Sequence, residues 1–418
     1  MLQAGRGLWA AVAVCVVLSA MVIRVPAADD VPRGETVATR VRPELDPIGL
    51  HPGGFLLYPR VQLGVERVDN IFADEQDPRT DTITLLEPAL ELQSDWNRHA
   101  LRGSVTGVAA SYANNPSEDY NDYTAEARGR VDVGHDSRVE AGGRLARLHE
   151  DRGSPDDVNG IEPTRYQASS VFASTSMGFG RWRIALDAAV EWLFYKDVAT
   201  TTGVINNEDR DRTEDSAGIE TAYEFLPRRS LFVRARANRR DYREERDDFG
   251  LDRDSTGSEI VTGARVDFTG VSGGEAYIGR IAQDYEDPGL PPLDATDFGA
   301  TFMWNPTGLT SLAATLGREV EETTFDGASS VRVTALSVNV DHELLRNLIL
   351  NGRVRASNNR YDGIPREDAY DAFEFGARYL ANRYLAGIFR FTRDSRDSNL
   401  AGEDYTRNRV LFAVRGQF

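Results

Sequence analysis

The chain has 418 residues, a net charge of −18 and one cysteine. Its mean hydropathy is negative. No run of 18 apolar residues lies beyond residue 24, which excludes membrane-spanning helices but not membrane-spanning strands. Such acidity argues against nucleic acid as a partner.

Residues 1–27 read as a secretory signal: Arg6 supplies the positive start, Leu8 to Ile23 the apolar stretch, and Val25-Pro26-Ala27 the small residues for cleavage. Cys15 lies inside it and follows Val14, which speaks against a lipoprotein box. The chain beyond would hold no cysteine, and a barrel closed by its own hydrogen bonds needs none. Residues 28–54 are rich in proline, glycine and charge and lack any period. They predict either a periplasmic extension or a plug for a pore.

From residue 55 to 418 strand-like runs alternate with connections, and the connections alternate in length. The first strand, from Phe55 to Glu66, sets Pro59, Val61, Leu63 and Val65 against Arg60, Gln62 and Glu66. The next lies around Ile83 to Asp95 and ends in a turn at Trp96-Asn97-Arg98. Strands near 99–112 and 121–134 flank an acidic loop. Further long connections are expected at 150–164, 196–213, 243–256, 286–295, 322–328, 358–368 and 396–404. Short ones are expected at Phe179-Gly180, Pro227-Arg228, Gly270 to Gly273, Asn305 to Gly308, Leu344 to Asn347 and Asn382-Arg383. A soluble sandwich has no reason to sort loop length by parity, whereas outer-membrane barrels do.

The strand faces agree with that reading. Tyr123, Ala125, Ala127, Gly129, Val131 and Val133 oppose Thr124, Glu126, Arg128, Arg130 and Asp132. From Trp182 to Phe194 the even positions are apolar and the odd ones include Arg183, Asp187 and Glu191. Leu231, Val233, Ala235 and Ala237 oppose Arg234, Arg236 and Asn238. Lipid outside and water inside satisfy both faces at once. Aromatic residues flank the short turns (Trp96, Phe179, Trp182, Phe225, Phe268, Trp304, Tyr379, Tyr384 and Phe418), and Tyr112, Tyr120, Tyr195, Tyr242, Tyr285, Tyr361 and Tyr405 flank the long loops. Together they predict two interfacial girdles.

The last strand, RVLFAVRGQF, places Val410, Phe412, Val414, Gly416 and Phe418 on its apolar face. Phe412, Val414 and Phe418 are the expected signal to the barrel-assembly machinery. Nine hairpins give an all-β, transmembrane, antiparallel up-and-down barrel of about 18 strands, with about 16 as the alternative.

Several stretches, among them RPELDPIGLHPGGFLLYPRVQLGVERVDNIFA, FGATFMWNPTGLTSLAATLGREV and DHELLRNLIL, resemble the type-2 β-barrel porin family of outer-membrane proteins. The resemblance implies a pore and, through members linked to exopolysaccharide, a polysaccharide exit with export components as partners. It carries over no functional residue.

The candidate lumen-lining residues are Glu126, Arg128, Arg130, Arg183, Asp187, Glu191, Arg234, Arg236, Arg353, Arg378 and Arg415. Such charges either set selectivity or pair across strands and stiffen the wall. The acidic loops read mainly as solvated, with divalent cations and lipopolysaccharide phosphates as possible contacts. The start of an EF-hand at Asp252, Asp254 and Gly257 fails, because its twelfth position is Gly263. No HExxH, Walker A or GxSxG motif is present, so no enzyme, cofactor or metal is expected. The function expected is passage of hydrophilic solutes through the outer membrane, with both termini periplasmic. The alternative is a non-conducting barrel whose loops serve adhesion or envelope structure.

Overall fold

A computed structural model describes residues 36–155, 157, 160–201, 203–268 and 271–418. The expected signal and residues 28–35 lie outside the described residues. Eighteen strands form one sheet: β1 (Phe55–Val68), β2 (Asp81–Ser94), β3 (Ala100–Tyr112), β4 (Tyr120–Val133), β5 (Ser137–His149), β6 (Arg165–Phe179), β7 (Trp182–Tyr195), β10 (Arg212–Leu226), β11 (Arg229–Tyr242), β12 (Ser255–Asp267), β13 (Ser272–Tyr285), β14 (Leu293–Thr307), β15 (Thr310–Glu322), β16 (Ser330–Leu345), β17 (Leu348–Asp362), β18 (Glu367–Asn382), β19 (Leu385–Ser398) and β20 (Tyr405–Gln417). A two-residue hairpin, β8 (Val198–Ala199) with β9 (Val204–Ile205), sits within one long loop. Each barrel strand pairs antiparallel with its neighbours in sequence, and β1 pairs with both β2 and β20, so the sheet closes on itself. Closure removes every sheet edge, the condition for strands to cross a bilayer.

The alternation dictates which way each residue points. On β20 Phe412 is 62 % exposed and Val414 54 %, while the alternate residues Leu411 and Ala413 are buried inside. Outward positions stay apolar for about four to six residues per strand, a band of roughly 20–25 Å once the strands tilt. Beyond it, on the long-loop side, the outward face becomes a charged collar. Arg67 follows Val65, Arg393 follows Phe391, and exposed pairs join Arg239 to Asp241 (3.0 Å), Arg280 to Asp294 (2.6 Å) and Arg360 to Glu367 (3.0 Å).

Two expectations need correction. The connection placed at 358–368 is only residues 363–366, because β17 and β18 run on to Asp362 and from Glu367. Asn358 and Arg360 read as loop because they are polar, but they belong to the collar. Of the aromatic residues named for the two girdles, those at the turn end face out: Trp96, Phe179, Trp182, Phe225, Phe268, Trp304, Tyr379, Tyr384 and Phe418 are all exposed. The seven tyrosines near the long loops take the inward parity instead. Arginine explains it. Arg210 lies 4.0 Å from the Tyr195 ring centre, Arg366 4.6 Å from Tyr361 and Arg396 5.3 Å from Tyr405, so these rings serve cations inside the barrel rather than lipid headgroups.

Candidate functional site: the barrel lumen

The inward face is divided into a cavity, an arginine wall and loops folded back into the mouth. The cavity, about 690 Å³, is bordered by β4–β7 and β10–β16. Of the residues expected from the sequence, Glu126, Arg128, Asp187, Glu191, Arg234 and Arg236 line it. Most of its charges are paired: Arg144 with Glu126 (3.6 Å), Arg236 with Asp187 (3.7 Å) and Arg212 with Glu214 (2.7 Å). Arg234 and Arg265 share Glu220 at 2.8 and 2.6 Å, and Arg265 reaches Glu275 at 2.5 Å. Both guanidinium groups stack on the buried Phe232 ring. Arg128 lies over Phe172 at 5.1 Å. On this side of the barrel the inward charges are therefore largely paired with one another.

Arg130 pairs with Asp132 (3.1 Å) on its own strand, and Arg183 sits beside the short turn that opens β7; neither borders the cavity. Arg353, Arg378 and Arg415 stand on β17, β18 and β20, a separate wall toward the short-turn end. Arg415 donates to Gln62 Oε1 at 3.1 and 2.9 Å, and Arg353 to Asn339 Oδ1 at 2.5 Å. Among the described residues none of the three has a carboxylate within ion-pair distance. Nearby, Arg60 pairs with Glu91 (3.0 Å) and Arg390 loosely with Glu374 (3.9 Å).

The loops are not the solvated tails their composition suggests. In the 150–164 loop Arg152, 6 % exposed, donates to both oxygens of Glu118 at 2.8 and 2.7 Å. From across the lumen Arg407 and Arg396 donate to the carbonyls of Arg152 and Gly153 at 3.4 and 3.3 Å. Gly153 has φ +82°, and a Cβ there would stand 2.7 Å from Ala73 Cβ and 2.9 Å from the Tyr405 ring, so only glycine fits the crossing. Burial works to raise the Asp151 carboxyl, but Arg407 and Arg409 overcome it and hold it below the usual carboxylate range. A second set of loops meets at Arg253, which donates to Asp247 (2.6 Å) and to the carbonyls of Thr323 (2.5 Å) and Ala328 (3.0 Å). Glu118 and Asp247, acids buried in these loops, are bound to arginine, and no group of three metal-ligating side chains occurs among the described residues.

The sequence reading missed these loop anchors. It also missed the lumen ends of Arg212 and Arg240, which fell inside or beside stretches read as loop. Arg240 meets Glu322, and Arg152, Arg253 and Arg407 each reach a partner dozens to hundreds of residues away, so no local spacing marks them.

A family model described as "Putative beta-barrel porin 2" matches residues 42–418. The chain belongs to that family. It is a porin-like barrel of the outer membrane. No curated protein matches the sequence. Among solved structures, the outer-membrane protein OpdK of Pseudomonas aeruginosa is 13% identical with a TM-score of 0.47, covering 87% of this chain and 99% of that one. OccK2 (OpdF) of the same organism is 12% identical with a TM-score of 0.46, covering 88% and 100%. Likeness at this level carries no argument of its own; the fold rests on the strand pairing and the family on the match along the sequence.

Proposed function

We propose that this porin-like barrel is a diffusion pore for small hydrophilic anions. The observation that carries the reading is the wall of Arg353, Arg378 and Arg415, lumen-facing cations with no carboxylate within ion-pair distance, though Asp341, Asp46 and Glu87 act on them from further off, while the cavity opposite is largely charge-paired. Rings of fixed charge set the sign of the ion admitted. The protein as a whole is acidic, so global charge and local wall predict opposite selectivity, and the wall acts at shorter range than the screening length.

In this reading the long loops face outward and the short turns and both termini face the periplasm. The charged collar supports it, since arginine there would meet the phosphates of lipopolysaccharide. The aromatic ring at the turn end would sit in the inner headgroup layer. Polysaccharide export draws no support from the comparisons. The inward loops favour the rival, a barrel that does not conduct.

Planar-bilayer recording of the refolded chain decides between them. In a KCl gradient the expected result is stepwise current with a reversal potential on the chloride side. Arg353→Gln, Arg378→Gln and Arg415→Gln together should shift it toward potassium. Absence of current would favour the rival, and potassium preference in the unaltered protein would overturn the anion reading.

A further inference from the structure

Residues 36–50 lie within the short-turn end of the barrel, against its inner wall. Val37 has no exposed surface and fills an apolar socket of Ile349, Leu380 and Ala386, with Leu45 alongside. Its N–H donates to Ser311 Oγ at 2.8 Å. Arg42 and Glu343, 3 % and 5 % exposed, pair at 2.8 Å, and Arg40 approaches the same carboxylate at 3.3 Å. Arg42 also donates to the carbonyls of Val37 (2.9 Å) and Arg40 (3.1 Å), which ties the segment into a compact knot. At its other end Leu50 exchanges two backbone hydrogen bonds with Leu57 of β1, each 2.8 Å.

The anchoring residues run from β15 (Ser311) through β16 (Glu343), β17 (Ile349) and β18 (Leu380) to β19 (Ala386), and β1 lies beyond β20. The segment thus covers the inner wall along about a third of the circumference. It does so beside Arg353, Arg378 and Arg415, and the charges of Arg42 and Asp46 act on Arg378.

Two consequences follow from elementary chemistry. A folded segment inside the mouth reduces the open cross-section. A buried arginine bound to Glu343 also cancels the negative charge that this residue would otherwise present at the mouth.

We propose that residues 36–50 are a specificity-determining inset, which narrows the pore and, through Arg42, silences Glu343 so that the arginine wall dominates the field. The inference rests on the anion-pore reading and deepens it. Without the inset the mouth is wider and Glu343 keeps only the loose contact of the exposed Arg346 (3.7 Å), so both conductance and chloride preference change together.

The test compares the refolded chain 28–418 with a chain beginning at residue 48, both in planar bilayers under a KCl gradient. The shortened chain is expected to conduct at least about twofold more and to lose much of its chloride preference. Adding Glu343→Gln to the shortened chain should restore the preference while leaving the larger conductance, because width and charge are separate effects. As a variant that keeps the segment, Val37→Asp in the longer chain should reproduce the shortened chain's behaviour. Equal conductance and equal reversal potential in the long and short chains would overturn the inset while sparing the pore. A wider pore in which Glu343→Gln changes nothing would overturn the charge role of Arg42. No current from either chain would overturn the inset together with the pore.

Discussion

At the scale of single residues, the charges that matter are those whose partners are few. Asp209, 7 % exposed in the 206–211 turn, has its carboxyl pushed up to about 6, first by burial and then by the neighbouring charge of Asp248. The folded chain therefore holds this proton more tightly than the unfolded chain, whose ordinary value is 3.8. Its contribution to stability is full below about pH 4, is lost as pH rises through about 6, and stays lost above. Asp209→Asn should accordingly slow amide exchange across 206–211 at neutral pH and make no difference below about pH 4. An equal effect at both pH values would contradict this. Glu118 is the opposite case, a buried acid that arginine requires. Glu118→Gln leaves Arg152 buried with half its pairing gone, at a cost on the order of 3 kcal/mol. The expected readouts are a lower urea midpoint for the refolded barrel and faster proteolysis within 150–164.

Among elements, the strands obey a rule visible in the sequence and the loops do not. Period two was legible because lipid and water impose it on each strand independently: Val61, Leu63 and Val65 point out whatever β20 does. The same rule misplaced the inward tyrosines, since alternation near a strand end cannot tell a headgroup layer from a nest of arginines. The loop between β5 and β6 reads as acidic and exposed, yet its conformation depends on Arg396 and Arg407, more than two hundred residues further on. Only the closed barrel brings those groups together. The outward face gives the sharper test of membrane placement. Phe412→Arg puts a charge on the lipid side of the seam strand and should cost about 2–4 kcal/mol if Phe412 lies near mid-bilayer. Arg393→Gln, in the collar, should cost much less. Refolding titrations into vesicles measure both, and equal penalties would mean that the apolar band is misplaced.

Taken whole, the molecule is a single closed sheet whose eighteen strands were countable because hairpins repeat, and whose lumen was only half readable. Glu126, Arg128, Asp187, Glu191, Arg234 and Arg236 do meet at one cavity. Arg353, Arg378 and Arg415 form another wall, and neither grouping follows from alternation, which gives a side of the sheet but not a height or a neighbour across the interior. The seam between β1 and β20 is also where Val68, Ile71, Ile83, Leu85, Leu411 and Ala413 make one of the apolar clusters of the interior. Until the final strand arrives, this sector would be greasy on both of its surfaces, with neither water nor bilayer suiting the inner one. A partly zipped intermediate is thus penalised at this open edge. Burial of that cluster when the ends meet favours sealing at this pair of strands.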